Sequence, residues 1–247
     1  MSIKKTFNYS PNFDQKKRQK KQIKFLIFHY TGMKSENLAI RKLTSFNSKV
    51  SSHYLIKRNG EIIVLVPDLY IAWHAGRSYW KKDKLLNNNS IGIEISNPGH
   101  QFNYKMFSKE QVNSITSLGR YLIVKYKIKS ENVLGHSDVA PTRKRDPGEK
   151  FPWQFFARKQ IGIWHSVSKE TLKKNRLKNI QTKFEIKFLK NLSKIGYKFT
   201  KPKRLKKKYF ITKLVKAFQR RYRQQLINGK IDKECLLISE NILKKLN

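Results

Sequence analysis

The chain has 247 residues, of which 38% are hydrophobic and 12% aromatic, so its composition excludes an intrinsically disordered protein, and its single cysteine excludes an internal disulfide. With 55 Lys and Arg against 16 Asp and Glu, the net charge of +39 favours polyanionic partners such as nucleic acid, anionic membrane surfaces or acidic cell-wall glycans. An AT-rich genome also enriches Lys, Ile and Asn, so the charge alone does not choose among these partners.

Residues 1–22 are polar and poorly patterned, which predicts an arm lying on the protein surface. This stretch lacks the apolar core of a secretory signal, and no apolar run in the chain approaches the ~18 residues that a membrane span needs. On sequence grounds, the protein either stays inside the cell or leaves by a route that the sequence does not show.

Short apolar runs predict the strands of a sheet. Residues 23–32 are typical of a buried central strand, and residues 51–66 contain two runs around an Asn-Gly pair, which is a strong hairpin signal. Residues 90–96 alternate, with three isoleucines on one face and Glu94 on the other. A last short strand ends at His136.

Helical patterns lie between and after these strands. Residues 36–47 show weak helical spacing, and Ser108 with Gln111 forms a capping box ahead of an amphipathic helix. Strands mixed with covering helices predict an α/β (α+β) layer fold, in which a central sheet is flanked by helices.

The character of the chain changes after residue 165. The stretch 166–181 is polar and is predicted to be a linker between a domain over 23–165 and a second domain over 182–247. Three amphipathic patterns in the last segment predict a small three-helix domain, and Asp232 is the expected N-cap of its last helix.

Two histidines and one carboxylate suggest a metal site. His29 and His136 each follow an apolar strand directly, and Asp146 lies in a basic loop ten residues after His136. Two His and one carboxylate leave a fourth position for water, which is the composition of a catalytic zinc site. A structural role for each histidine, and a turn role for Asp146 before Pro-Gly, remain open on spacing alone.

Metal-assisted hydrolysis also needs a base and a cation near the developing oxyanion. Glu94 is the best base, since it is a lone carboxylate on a strand whose other face is apolar, and Lys144 is the best oxyanion partner. The alternative for Glu94 is a position on the solvent face of an edge strand.

Five motifs resemble a known family, in its order and rough spacing over about residues 9–165. They are "IFHYTG", "VSSHYLIKRNGEI", "AWHAGRSYW", "NSIGIEISNPG" and "GHSDVAPTRKRDPGEKFPW". The family is the type 2 family of zinc-dependent N-acetylmuramoyl-L-alanine amidases, related to phage T7 lysozyme and the peptidoglycan recognition proteins. The resemblance implies their fold, a central mixed β-sheet flanked by helices.

The resemblance also implies one zinc ion held by His29, His136 and Asp146, with Glu94 and Lys144 as the catalytic pair. The phage-lysozyme branch has a tyrosine where this chain has Ser52, and a cysteine where it has Asp146. Both departures favour the anhydromuramyl-peptide amidase branch.

Further roles follow from the same motifs. Four residues are expected to contact substrate: Tyr30, His74, Arg77 and Asn97. His53, on the predicted hairpin, is expected to be packed and hydrogen-bonded rather than a ligand, while His100 and His165 have no supporting pattern.

The C-terminal segment resembles the type 1 peptidoglycan-binding domain, through "LVKAFQRRY" followed by "NGKID". The matching positions are Val215, Phe218, Gln219, Tyr222, Gly229, Ile231 and Asp232. Aromatic residues at helical spacing are also ordinary core residues. An amidase followed by such a segment resembles the periplasmic amidases attached to the outer membrane.

The resemblance therefore implies a monomeric hydrolase that cuts the amide between N-acetylmuramic acid, or its anhydro form, and L-Ala of the peptidoglycan stem peptide. The expected compartment is the cell envelope or the exterior, with the cytoplasm as the alternative. A non-catalytic peptidoglycan receptor is disfavoured because all five site positions are filled. A nucleic-acid-binding protein is motivated by charge alone, since no recognised motif accompanies it.

Overall fold

The structure is a computed structural model that describes residues 4–198 and 206–246. Its main sheet has six strands in the order β1-β5-β4-β9-β3-β10. The strands are β1 (Thr6–Phe7), β2 (Phe13–Asp14), β3 (Phe25–Tyr30), β4 (Tyr54–Ile56), β5 (Ile62–Val64), β6 (Ile71–Ala72), β7 (Tyr79–Trp80), β8 (Asp83–Lys84), β9 (Ser90–Ile95) and β10 (Val133–Gly135).

The helices cover both faces of this sheet. They are α1 (Glu36–Thr44), α2 (Lys109–Tyr126), α3 (His136–Val139), α4 (Trp153–Arg158), α5 (Lys169–Asn175), α6 (Thr182–Ile195), α7 (Lys207–Tyr222) and α8 (Lys233–Leu246). None of these helices is both long enough and apolar enough to cross a membrane.

The centre of the sheet follows the predicted pattern. Strand β3 pairs in parallel with β9 on one side and β10 on the other, and β4 and β5 form the predicted antiparallel hairpin. The isoleucines of β9 lie in the core on one face, as the alternation predicts. Parallel and antiparallel pairs together confirm the mixed sheet.

Local helix signals are confirmed as well. Ser108 and Gln111 exchange both bonds of a capping box at the start of α2. The Asp232 carboxylate accepts a hydrogen bond from the Cys235 amide at 2.9 Å, which makes it the N-cap of α8.

The two faces of the sheet carry different helices. On one face, α2 and α4 pack against residues such as Phe28 and Ile93. On the other face, Phe25 and Ile27 of β3 belong to the same apolar cluster as residues of α6, α7 and α8. The C-terminal helices therefore share a core with the sheet, and their description as a separate domain stays a prediction.

Two irregular segments differ from expectation. The predicted linker 166–181 contains α5, which begins after Ser168 because its hydroxyl accepts from the Thr171 amide, and which buries Leu172. The N-terminal arm is also anchored more firmly than a surface arm. Arg18 is only 5% exposed because its guanidinium donates to the Asp68 carbonyl.

The residues that resemble a peptidoglycan-binding motif are mainly internal. Val215, Phe218 and Tyr222 are buried in the shared cluster. Gln219 is fully buried, and its side chain bonds backbone groups of Gly229 and Lys230. These four side chains pack inside the helical unit, and a peptidoglycan-binding role for that unit stays a prediction.

Candidate active site

Three predicted ligand atoms meet at one edge of the sheet. His29 lies near the end of β3, and Gly135 of β10 pairs with Phe28, so His136 comes next to His29. The loop after α3 returns Asp146, whose carbonyl accepts from the Ser137 amide at 2.8 Å. All three side chains are buried.

The distances between these atoms fit one small cation. The Nδ1 atoms of His29 and His136 are 2.9 Å apart, and Asp146 Oδ2 lies 3.1 and 3.0 Å from them. A tetrahedral zinc site with bonds of ~2.0–2.1 Å has ligand atoms about 3.3 Å apart, close to this spacing. The cluster can therefore hold a metal ion.

Hydrogen bonds behind the cluster turn both Nδ1 lone pairs toward the metal position. Nε2 of His136 lies 3.1 Å from the Ala75 carbonyl, which only accepts, so Nε2 carries the proton. Behind His29, its Nε2 donates to Nδ1 of His74, and Nε2 of His74 donates to the Ser90 hydroxyl. Such partners set the tautomer of metal-binding histidines.

The electrostatics of the cluster also suit a cation. Burial tends to raise the pKa of Asp146, but the charges and hydrogen bonds of His136 and His29 lower it well below its usual range. Burial and the neighbouring His136 lower the pKa of His29 to about 4. An ionised carboxylate beside a neutral imidazole is the state that a metal requires.

Glu94 lies beside this cluster, opposite His29 in the pairing of β9 with β3. Its Oε2 atom is buried without a hydrogen-bond partner among the described residues. Burial, then the charge of Asp146, raises the pKa of Glu94 to about 8, while Lys144 acts in the opposite direction. A half-buried carboxyl with one buried oxygen and a raised pKa, lying in a cleft, suits proton transfer.

These groups open on a cavity of about 640 Å³. Glu94, Lys144, His136 and Asp146 line it, so the predicted catalytic pair and two of the ligands share one space. Its basic lining residues are Lys42, Arg143, Lys144 and Arg145.

The four predicted substrate contacts divide into two pairs. Tyr30 and His74 line the cavity, but both ring nitrogens of His74 are already bonded to His29 and Ser90. A polar contact from His74 to substrate would break one of these bonds, so we assign it to the support of His29. Gly92 makes room for it, since a Cβ there would lie 2.4 Å from the His74 ring.

The other two predicted contacts, Arg77 and Asn97, are not among the residues that line the cavity. Arg77 is exposed, and its backbone carbonyl accepts from Arg143. Asn97 is 2% exposed, and its amide bonds the Lys105 carbonyl and the Gly99 amide of its own loop. Instead of reaching the cavity, Asn97 holds that loop together.

His100, which no sequence pattern singled out, also belongs to the cleft. The Tyr30 hydroxyl donates to its Nδ1 at 2.8 Å, and its Nε2 donates to the Glu149 carboxylate at 3.1 Å. Burial raises the pKa of Tyr30 to about 12, so its hydroxyl stays protonated. These partners are up to 119 positions apart in the chain, beyond the reach of local patterns.

Comparison with known proteins identifies the family that the chain matches. A family model described as N-acetylmuramoyl-L-alanine amidase matches residues 19–149. Among curated proteins, the chain is 35% identical over 236 residues to N-acetylmuramoyl-L-alanine amidase AmiD of Escherichia coli, covering 91% of this chain and 83% of that protein. It is 39% identical over 108 residues to the E. coli 1,6-anhydro-N-acetylmuramyl-L-alanine amidase AmpD, covering 44% of this chain and 57% of that protein.

Solved structures give the same relationship. E. coli AmiD, in complex with the substrate anhydro-N-acetylmuramic acid-L-Ala-D-γ-Glu-L-Lys, superposes with a TM-score of 0.79, covering 91% of this chain and 90% of that one. AmpDh3 of Pseudomonas aeruginosa, in complex with anhydromuramic pentapeptide, is 28% identical with a TM-score of 0.78, covering 96% and 97%. Both similarities extend across the C-terminal helices.

Proposed function

The chain belongs to the N-acetylmuramoyl-L-alanine amidase family, and from this premise we propose that it hydrolyses the amide between N-acetylmuramic acid, or its anhydro form, and L-Ala of the stem peptide. The main support for this mechanism is the geometry of four side chains. Ligand atoms of His29, His136 and Asp146 lie within about 3 Å of one another, beside the buried Oε2 atom of Glu94, which has no hydrogen-bond partner in the described part of the chain.

We infer that these three residues hold one zinc ion. When bound, zinc supplies Lewis acidity that polarises the scissile carbonyl and acidifies water. Glu94 takes the proton of the attacking water and then passes it to the leaving amine of L-Ala. Lys144 stabilises the negative charge that develops on the carbonyl oxygen.

The cleft suits an anionic peptide substrate. Four Lys and Arg side chains line the cavity, while the acidic lining residues in the described part of the chain are Glu94 and Asp146, both in the catalytic cluster. Stem peptides carry carboxylates, so peptidoglycan and its muropeptide fragments fit this charge pattern. We propose that Tyr30, held by His100, contacts the bound substrate.

We place this activity in the cell envelope, because the similarity to AmiD includes the C-terminal helices as well as the sheet. We also propose that the protein acts as a monomer. Fractionation of cells, followed by detection of the protein, tests the compartment, and a cytoplasmic pool alone would favour the alternative.

Digestion of an anhydromuramyl tetrapeptide tests the proposed activity directly. We expect mass spectrometry to detect two products, the free anhydro sugar and the intact tetrapeptide with a free L-Ala amine. Chelation of zinc should abolish both products, and added zinc should restore them. A protein that binds the muropeptide with full zinc occupancy but leaves it intact would instead be a receptor.

The pH dependence of kcat/KM tests the role of Glu94. Only the carboxylate can accept a proton, so activity should fall as the pH decreases through the pKa of Glu94. Burial and the charge of Asp146, partly offset by Lys144, place that pKa near 8, and a bound cation lowers it, so the midpoint should lie between 4.5 and 8. Zinc content measured at each pH separates this loss from metal release, and a flat profile with zinc retained would contradict the assignment.

A further inference from the structure

A second buried carboxylate lies directly behind the metal site. Asp138, in α3, is two residues after the ligand His136 and is 1% exposed. Its Oδ2 accepts from the Gly135 amide at 2.8 Å, so the side chain closes the short turn that begins with His136. This contact alone would be an ordinary local cap.

The other partners of Asp138 come from the C-terminal helical unit. The Tyr197 hydroxyl donates to Oδ1 at 2.7 Å, and Arg221 Nη1 donates to Oδ2 at 2.9 Å. Arg221 is 1% exposed, and its Nη2 donates to the Val133 carbonyl in β10 at 2.9 Å. Residues that follow the ligand loop by more than 50 positions therefore hold the end of β10 and the turn after it.

Because the ion pair between Arg221 and Asp138 is buried, replacing one partner alone would leave the other charge buried and unpaired, which destabilises the fold. Taking both charges out of water costs free energy, and a well-packed apolar pair would often stabilise the fold equally well. The ion pair does add direction, because Arg221 is fixed by two acceptors and lies 4.0 Å over the Trp153 ring. Directed bonds restrict where the turn can lie.

Movement of this turn would affect two ligands together. His136 begins α3, and the Ser137 amide donates to the Asp146 carbonyl. A tilt of α3 therefore shifts the His136 imidazole and the Asp146 loop against His29, which is held separately in β3. The spacing of about 3 Å between the ligand atoms therefore depends on the position of α3 relative to β3.

We propose that Arg221 and Tyr197 are positioning residues for the metal centre, acting through Asp138 to hold His136 and Asp146 in ligand geometry. The C-terminal helices then form part of the catalytic unit. This inference rests on the proposed zinc-dependent function and adds a role for helices that the sequence motif associates with peptidoglycan binding.

The test compares Arg221→Met with Arg223→Met in the full chain. Arg223 is also 1% exposed and follows directly after α7, but it pairs with Asp232 and Glu234 inside the helical unit. Each variant loses one buried guanidinium, so we expect the two variants to lose a similar amount of folding stability. The readouts are the zinc dissociation constant, from competition with a chromophoric chelator, and the absorption spectrum of the cobalt-substituted protein.

We expect Arg221→Met to weaken zinc binding about 10–100-fold, as loss of a supporting partner typically does, and to alter the cobalt spectrum. Arg223→Met should retain the wild-type dissociation constant and spectrum. Unchanged zinc binding in folded Arg221→Met, or an equal loss in folded Arg223→Met, would overturn the proposal.

Tyr197→Phe provides a milder variant if Arg221→Met does not fold. It removes one hydroxyl from Asp138 and keeps the ring, so zinc should bind about 2–10-fold more weakly. Wild-type affinity in this variant would also overturn the proposal. A wild-type protein that binds no zinc would refute the proposed function itself, which separates the two failures.

Discussion

Replacement of Glu94 by Gln should lower the turnover of amide hydrolysis by a factor of about 10²–10⁴ while zinc remains bound. Glu94 lies beside His29 but outside the cluster that can hold a metal, so the substitution leaves the three proposed ligand side chains intact. Gln has the same shape but cannot accept a proton from water. Steady-state kinetics and zinc content of the same preparation measure the two effects.

Glu131→Gln is the matched control for this substitution. Glu131 is a carboxylate that pairs with Lys81 and does not line the cavity, so its loss should leave kcat unchanged. The two variants should also differ in melting temperature. Because burial raises the pKa of Glu94, its ionised form destabilises the metal-free fold near neutral pH, and Glu94→Gln should melt at or above the wild-type temperature. Full activity in Glu94→Gln would assign the base to another residue.

The parts of the fold that follow from local pattern are predictable from sequence. Strand β3 is an unbroken apolar run because it is buried on both faces between two parallel neighbours. The capping box at Ser108 and the N-cap at Asp232 are bonds within three residues, which the sequence displays directly. Family resemblance supplies the mixed sheet, which local patterns do not specify.

The candidate site is predictable to the extent that strand ends mark it. His29 lies near the end of β3 and His136 directly follows β10, and these two strands are adjacent, so the convergence of the two histidines is a consequence of parallel pairing. Asp146 is different, because its loop shows turn residues and no spacing relates it to His29. Its membership of the cluster follows from the family motif and from the geometry.

Contacts between distant segments escape sequence reasoning. His74 is predicted from its motif to contact substrate; it lines the cavity, but its two ring nitrogens are bonded to His29 and Ser90, which no local pattern displays. Asn97 lies in another motif, and its side-chain amide forms hydrogen bonds to backbone groups of its own loop. The pairing of Arg221 with Asp138 crosses 83 positions and joins two segments that composition separates.

Zinc should raise the melting temperature of the wild-type protein, and Asp146→Asn should remove most of that increase. Free zinc at 1,000 times its dissociation constant stabilises a protein by about 4 kcal/mol, which for 150–250 residues corresponds to roughly 8–16 °C. Asn lacks the ionised oxygen that the cluster directs at the metal position. Melting curves with and without zinc, and zinc content after dialysis, measure the effect.

Asp68→Asn distinguishes loss of a ligand from loss of any buried carboxylate. Asp68 is 8% exposed, accepts bonds from Tyr126 and Lys125, and is not part of the ligand cluster. Its substitution should lower the melting temperature with and without zinc by similar amounts, so the increment due to zinc persists. In Asp146→Asn most of the increment itself should disappear, together with hydrolysis. If Asp146→Asn kept the wild-type increment and zinc content, the two histidines would bind the ion with some other partner, and Asp146 would be only the turn residue that its Pro-Gly neighbours indicate.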